Sequence, residues 1–332
     1  MKSNVLVTRR IFDESLVTLA RHARIDTNQK DAPLTPRQLL RKLKGKDAVI
    51  SLLTDIISDE VLARNPQLKI VSNVAVGYNN VDVAAATRRG VMVTNTPGVL
   101  DDTTADFTWC LILATARGLI RADRTFRSGT WKGWGLMQFL GHDVHGKTLG
   151  ICGFGRIGRG VARRALGFDM RILYTDVLRA PVEIERELNA VFVDKATLLR
   201  ESDVVTLHVP LFAETRHYIA AADLALMKKT AILVNAARGP VVDEKALVKA
   251  LKQGRIAAAG LDVYEKEPAP APGLTKLANA VLAPHVASAS VETRRKMSDM
   301  AVANCIAGLT GQRPPNLLNP DVLDRTRSRA QS

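Results

Sequence analysis

Apolar and polar positions divide the chain into two series of short buried strands and helices. In the first series Val5–Val7 reads as a strand and Glu14–His22 as a helix. Ala48–Ser51 and Ile70–Ser72 read as further buried strands, with a helical stretch at Ser58–Arg64 between them, and Val91–Thr94 closes the series. Apolar runs this short, bounded by helical patterns, suit a parallel sheet covered on both faces. Pro97-Gly98 breaks the pattern. A long Ala- and Leu-rich helical pattern then runs from Asp101 to about Arg127. Asp101, Asp102, Thr103 and Thr104 suit its first turn, where acidic groups complement the helix dipole. After a Gly- and Trp-containing loop, Ser128–Gly146, a second series begins with strand Thr148–Cys152, helix Arg159–Leu166 and strand Met170–Thr175 and continues to about Pro284. A last helix spans Val291–Leu309 and ends before Pro314-Pro315. The expected fold class is α/β, with two doubly wound parallel-sheet domains. Residues 1–99 and 289–332 form the first domain, and residues 100–288 form a second domain inserted into it.

Composition narrows the class. A chain of 332 residues, 46% hydrophobic, is long enough for two cores. No apolar run approaches the roughly 18–20 residues that cross a bilayer, and the N-terminal apolar core of three residues falls short of the ~7–15 of a signal peptide. A cytoplasmic protein is expected. Cys110, Cys152 and Cys305 are scattered and no Cys-x-x-Cys exists, so neither a zinc site nor a disulfide framework is expected. The formal net charge of +14 raises nucleic acid or an acidic membrane as partners. The basic residues are spread out, however, with only short clusters such as Arg41-Lys42-Leu43-Lys44-Gly45-Lys46, and no nucleic-acid motif accompanies them. No nucleic-acid or membrane partner is expected; the field serves to attract anionic small molecules.

The chemistry starts at Gly153-Phe154-Gly155-Arg156-Ile157-Gly158, a Gly-x-Gly-x-x-Gly turn between a strand and a helix. Gly153 permits the tight turn, Gly155 lets backbone approach a pyrophosphate, and Gly158 lets helix and strand pack closely. The next strand ends in Asp176, where an acidic group would take the adenosine ribose hydroxyls and repel a 2′-phosphate. NAD is the expected cofactor, with NADP kept open by the nearby Arg179.

Three downstream strand ends carry further polar groups. Ala231–Gly239 is a buried strand ending in Arg238 and Gly239, Gly260–Pro268 opens into an acidic loop with Glu265 and Glu267, and Val281–Ser288 carries His285. Ligands of doubly wound sheets sit beyond such carboxyl ends, so these groups can converge despite their separation in sequence. Glu265 stands as an alternative to Glu267. The histidines at 22, 142, 145, 208 and 217 read mainly as packing or surface residues, with His208 a candidate to line the cofactor site.

These motifs, together with Val74-Ala75-Val76-Gly77-Tyr78-Asn79-Asn80-Val81-Asp82, Asn95-Thr96-Pro97-Gly98, Asn235–Asp243, Gly260-Leu261-Asp262-Val263 and Pro284-His285, resemble the D-isomer-specific 2-hydroxyacid dehydrogenase family. The resemblance covers nearly the whole chain and points to the glyoxylate/hydroxypyruvate and 2-ketogluconate reductase branch. It implies a Rossmann-type cofactor domain inserted into a flavodoxin-like substrate domain, with the site in the cleft between them. The implied reaction is D-stereospecific hydride transfer between NAD(H) and C2 of a small 2-oxo acid. His285 would be the general acid or base, Glu267 its partner, and Arg238 the grip on carboxylate and carbonyl. Val76 and Gly77 N–H groups would hold the substrate carboxylate, with Leu53 beside it; Leu52, Trp134 and Met137 could wall the substrate side chain. Thr104, Pro210, Ala236 and Asp262 would join residues 153–158 and Asp176 at the cofactor, Asp262 facing the nicotinamide carboxamide. The segment 101–146 resembles a dimerisation arm, so a homodimer is expected. Three alternatives remain: a nucleotide-sensing corepressor, a formate dehydrogenase and a phosphite dehydrogenase. Formate enzymes of the family have Gln where this chain has Glu267, and phosphite enzymes have Lys where it has Val76.

Overall fold

A computed structural model describes residues 2–324; residues 325–332, the end of the expected substrate domain, lie outside the described residues. The chain divides into two compact units, one running to Leu100 and resuming at Ser290, the other Asp101–Ala289.

The first unit alternates β1 (Ser3–Val7), α1 (Asp13–His22), β2 (Ala23–Thr27), α2 (Pro36–Leu43), β3 (Ala48–Ser51), α3 (Asp59–Ala63), β4 (Ile70–Asn73), α4 (Val83–Arg89) and β5 (Met92–Thr94). Among the described residues its strands form one five-stranded sheet in the order β2-β1-β3-β4-β5 with every pairing parallel, the flavodoxin-like arrangement. Alternation sends Leu6, Val49, Val71 and Val93 to one core and Val5, Val7, Ala48, Ile50 and Ile70 to the other. The second core is completed by Ala301, Val302 and Cys305 of the C-terminal helix Val291–Leu309. Side-chain caps start the helices: Ser58 accepts from Val61 N–H, Asp82 from Ala85 N–H and Ser290 from Thr293 N–H.

Two elements of this unit escaped the sequence pattern. Strand β2 lies at the sheet edge and reads Ala-Arg-Ile-Asp-Thr, too polar to register as a buried run. Helix α2 buries Leu39 and Leu43 beneath a basic face, opened by a Thr35–Gln38 capping box. The basic cluster at 41–46 is partly that face, with Lys42 and Lys46 paired to Asp26 at 2.9 and 3.1 Å.

The second unit begins with α5 (Asp101–Ala116) and α6 (Leu119–Arg127), which correct the single helix expected over 101–127. Gly118 takes a left-handed conformation, φ 60°, and breaks the helix there. Then come β6 (Thr148–Cys152), α7 (Arg156–Ala165), β7 (Arg171–Thr175), α8 (Val182–Glu187), β8 (Ala190–Phe192), α9 (Lys195–Glu201), β9 (Val204–Leu207), α10 (Ala221–Leu226), β10 (Ile232–Asn235), α11 (Glu244–Lys252), β11 (Ala258–Leu261) and β12 (Ala280–Leu282). Among the described residues the strands form a seven-stranded parallel sheet, β12-β11-β10-β9-β6-β7-β8. The order reverses between β6 and β9, which is the switch point where a doubly wound sheet receives its ligand. One core lies between this sheet and α5, the other beneath α9–α11.

Candidate active site

The glycine turn leaves β6 and enters α7. Gly153 has φ 92°, and a Cβ there would lie 2.7 Å from the His208 carbonyl carbon and the Val209 nitrogen, so the segment just past β9 closes one wall. A Cβ on Gly158 would sit 2.2 Å from Gly153 O, which makes that glycine the condition for close packing of α7 on the turn. At Gly155 a Cβ would meet nothing within 4 Å. The turn therefore offers open room beside the start of α7, whose first residues receive no side-chain cap. Unsatisfied N–H groups at a helix N-terminus are the donors a pyrophosphate needs. The cradle fits a dinucleotide.

Asp176 stands at the end of β7. Its carboxylate accepts from Phe154 N–H at 2.6 Å and Val177 N–H at 2.7 Å, tying it to the glycine turn while the residue stays part-exposed. Phe154 stacks on Tyr174 with ring centroids 3.9 Å apart. Arg179, the group that kept a 2′-phosphate in view, makes a two-pronged pair with Glu185, both contacts 2.9 Å. Of the other expected cofactor residues, Thr104 is buried in the first turn of α5, Ala236 is buried just past β10, and Arg156 and Pro210 are exposed. Ile157 is half-buried.

The strand ends beyond β10, β11 and β12 assemble a second cluster. Asn235 closes β10 by donating from Nδ2 to Arg238 O at 3.0 Å and accepting from Ala237 N–H at 3.0 Å. Arg238 thus projects from a shaped turn three residues past the strand, and its Nη1 donates to Ala237 O at 2.6 Å. Gly239 lies so close to the Tyr264–Glu265 backbone that a Cβ would fall 1.8 Å from Tyr264 C. This contact brings the Arg238 turn against the acidic loop. Buried Glu244 holds that loop by accepting from Glu265 and Ala271 N–H.

His285 Nδ1 lies 2.9 Å from Glu267 Oε2, while Glu267 Oε1 accepts from Tyr264 N–H at 3.2 Å. Burial alone would raise the Glu267 carboxyl, but the His285 hydrogen bond and charge, Tyr264 N–H and Arg238 hold it below the usual carboxylate range. Burial works against the Arg238 charge and Glu267 works for it. A guanidinium keeps its proton regardless. His285 adopts a left-handed backbone, φ 55°, uncommon for a non-glycine residue and of the kind that clusters at functional sites.

Asp262 holds the backbone of this loop. It is fully buried, and its two carboxylate oxygens accept from Val286 and Ala287 N–H at 2.7 and 2.8 Å. Its main engagement is with the His285 loop, although each oxygen keeps a further lone pair. Burial raises its carboxyl despite those bonds. Glu265 turns the other way, to His217 Nε2, and His217 N–H donates to Pro240 O. His217 is therefore no plain surface residue. It braces the segment after Arg238 against the acidic loop, a role the sequence signalled only through a second Glu two positions from Glu267.

In the first unit, Val76 and Gly77 are half-buried in the turn after β4, and Leu53 is half-buried after β3. Trp134 and Met137, expected as pocket walls, are 82% and 76% exposed on the loop after α6. Among the described residues no cluster of three or more His, Cys, Asp or Glu is arranged as a metal site, and no helix is long and apolar enough to cross a membrane.

With this geometry in place, residues 109–287 match the family model described as D-isomer specific 2-hydroxyacid dehydrogenase, NAD binding domain. The chain belongs to this family. A glyoxylate reductase from Korarchaeum cryptofilum is 53% identical over 325 residues, 97% of this chain and 98% of the relative. A crystal structure of a Thermus thermophilus protein superposes with a TM-score of 0.88 at 42% identity, covering 95% of this chain and 99% of the other. An NADPH-dependent glyoxylate/hydroxypyruvate reductase from Sinorhizobium meliloti, solved with NADP and malonate, gives 0.84 at 31% identity, covering 97% and 98%. This family member is an NAD(P)-dependent oxidoreductase with a Rossmann cofactor domain, and the corepressor, formate and phosphite readings are not favoured.

Proposed function

We propose that the protein reduces glyoxylate or hydroxypyruvate to the D-2-hydroxy acid, using NADH in preference to NADPH. The observation that carries this reading is the Arg238–Glu267–His285 cluster at the strand ends, on the same sheet as the glycine turn and Asp176. The bound nicotinamide supplies the hydride that reaches C2. His285 Nε2, the ring nitrogen opposite the one facing Glu267, gives its proton to the carbonyl oxygen as that oxygen gains charge, and takes it back in the oxidative direction. Glu267 fixes the ring's orientation through Nδ1. Arg238 polarises the carbonyl and binds the adjacent carboxylate through its planar fork. The Val76 and Gly77 N–H groups take the carboxylate as well, with Leu53 beside it. Asp262, fully buried, orients the His285 loop through Val286 and Ala287 N–H and has no free face for the carboxamide the resemblance assigned to it. Asp176 accepts from the adenosine ribose. Its charge, together with the engagement of Arg179 by Glu185, leaves a 2′-phosphate without a ready cationic partner.

We further read residues 1–99 and 289–332 as the substrate domain, 100–288 as the cofactor domain, and 101–146 as a dimerisation arm. Phe126, Trp134, Leu136, Met137 and Leu140 of that arm are each more than 60% exposed, an apolar display that suits a second copy of the chain. A cytoplasmic setting accords with three unpaired cysteines. The deciding experiment is a steady-state panel of glyoxylate, hydroxypyruvate and 2-ketogluconate with NADH and NADPH, run alongside sedimentation velocity. Absence of turnover on all three acids would remove the substrate assignment, and a clear NADPH preference would remove the cofactor assignment.

A further inference from the structure

The turn after β4 is gripped through three consecutive carbonyls. Ala75 O accepts from Thr96 N–H at 2.9 Å, Val76 O from Asn95 Nδ2 at 2.8 Å, and Gly77 O from Asn73 Nδ2 at 3.1 Å. A trans peptide directs its N–H opposite its carbonyl. The N–H groups of Val76, Gly77 and Tyr78 therefore point away from those donors, and among the described residues no group of the chain accepts from them. The turn residues are accessible, whereas Asn73, Asn95 and Thr96 are buried.

The grip extends deeper. Asn73 and the buried Asn80 exchange amide hydrogen bonds of 3.2 and 3.3 Å. Asn80 Nδ2 also donates to Leu52 O at 3.1 Å and Asp55 O at 3.0 Å, which fastens the Leu53 turn to the same amide pair. That turn is locked again from within, where Asp55 Oδ2 accepts from Thr8 Oγ1 at 2.5 Å and from Leu52 N–H at 2.8 Å. Each of these amides spends its hydrogens on backbone carbonyls or on its partner amide. Substituting any of them frees a carbonyl to rotate, and its paired N–H turns with it.

We infer that Asn73, Asn80 and Asn95 are positioning residues for substrate binding, holding the Val76, Gly77 and Tyr78 N–H groups as a preset three-donor seat for a carboxylate. The seat rests on the reading above that this turn takes the substrate's carboxylate; the amide frame and the third donor, Tyr78 N–H, extend it. Charge-assisted bonds from fixed backbone dipoles hold an anion without reorganisation at binding, and buried neutral amides fix those dipoles without adding a competing charge.

The test measures KM for glyoxylate and KM for NADH, and the affinity for oxalate in the presence of NADH, in Asn95→Ser and Asn73→Ala. Loss of the preset geometry should raise the glyoxylate KM and weaken oxalate roughly tenfold to a hundredfold, while kcat and the NADH KM stay within about twofold. Thermal melting identifies the variants that keep a cooperative fold, and Asn95→Ser, the smaller change, carries the test if Asn73→Ala does not fold. A folded variant with a lowered melting temperature but unchanged oxalate affinity overturns the inference, because the amides would then only stabilise. Gly77→Pro, which deletes one N–H, separates the two levels. If it folds and keeps oxalate affinity, the carboxylate reading of the turn falls. If it loses oxalate while both asparagine variants retain it, the positioning role alone falls.

Discussion

The strand ends of the cofactor unit and the turn after β4 handle polarity in opposite ways. At the strand ends the polar groups are acid–base side chains: His285 and Glu267 share one hydrogen bond of 2.9 Å, the Arg238 charge acts on Glu267, and Asp262 anchors the loop behind them. In the turn the side chains recede. Backbone N–H groups face outward, and neutral amides of Asn73, Asn80 and Asn95 do the holding from inside. On the proposed reading, the difference follows from the task. A proton must move at the first place, which calls for an acid–base side chain. At the second an anion need only be held, and fixed dipoles suffice.

That contrast is tested most sharply at His285. His285→Ala should lower kcat by about 10²–10⁴-fold, the usual contribution of a general acid, while the NADH dissociation constant measured by fluorescence titration stays close to wild type. Near-normal turnover would leave the strand ends without their proton donor. Next in size is Arg238→Lys, which keeps the charge and removes the fork. A loss of about 10²–10³-fold in kcat/KM is expected, because a point charge cannot grip carboxylate and carbonyl together. A mild effect would place Arg238 in loop structure, where its Nη1 already donates to Ala237 O.

The same contrast explains what could be read from the chain in advance. Strand ends advertise themselves: a short apolar run followed by an Arg, Glu or His is legible, and so are the glycines at 153 and 158, which a Cβ would obstruct. Which glutamate faces His285 was not legible from the local pattern, since Glu265 and Glu267 differ by two positions on an irregular loop; the family resemblance named Glu267, and the structure pairs Glu267 with His285 and Glu265 with His217. The amide frame was hidden for a different reason. Asn73, Asn80 and Asn95 lie in runs that read as strand ends and turns, where asparagine is ordinary. Their partners are carbonyls up to 28 residues away, which no local pattern reveals. Strand β2 was lost because an edge strand need not be apolar, and the break at Gly118 because a single glycine inside a helical pattern is often tolerated.

The proposed reading also gives charge the selecting role at the cofactor end of the second unit, and here the expected effect is smaller. Asp176→Ser removes the carboxylate that a 2′-phosphate would meet but keeps a hydroxyl near Phe154 N–H. The ratio of kcat/KM for NADPH over NADH should rise by about tenfold, equivalent to ~1.4 kcal/mol. If the ratio does not move, selection lies elsewhere, with the Arg179–Glu185 pair next in line.

The smallest effect separates the two regions by acidity. His208 lies against the glycine turn, with Nε2 3.0 Å from Thr206 Oγ1, and burial pushes its imidazole from 6.5 down to about 3. Between those values the unfolded chain binds a proton that the folded one refuses, so stability is complete above pH 6.5 and declines as pH falls. From pH 6.5 to 5.5 the loss is about 1 kcal/mol, and urea midpoints should show it in the wild type and not in His208→Gln. The amide frame contributes nothing in that window because asparagine does not titrate. Its one buried acid, Asp55, has the opposite sign: burial raises its carboxyl, so acidification into the carboxylate range relieves a buried charge and favours the fold. A stability profile that begins to fall near pH 6.5 and keeps falling toward pH 3, with the decline between pH 6.5 and 5.5 lost in His208→Gln, assigns that acid sensitivity to the cofactor unit. An identical profile in the variant would mean the imidazole reaches water and protonates freely in the fold.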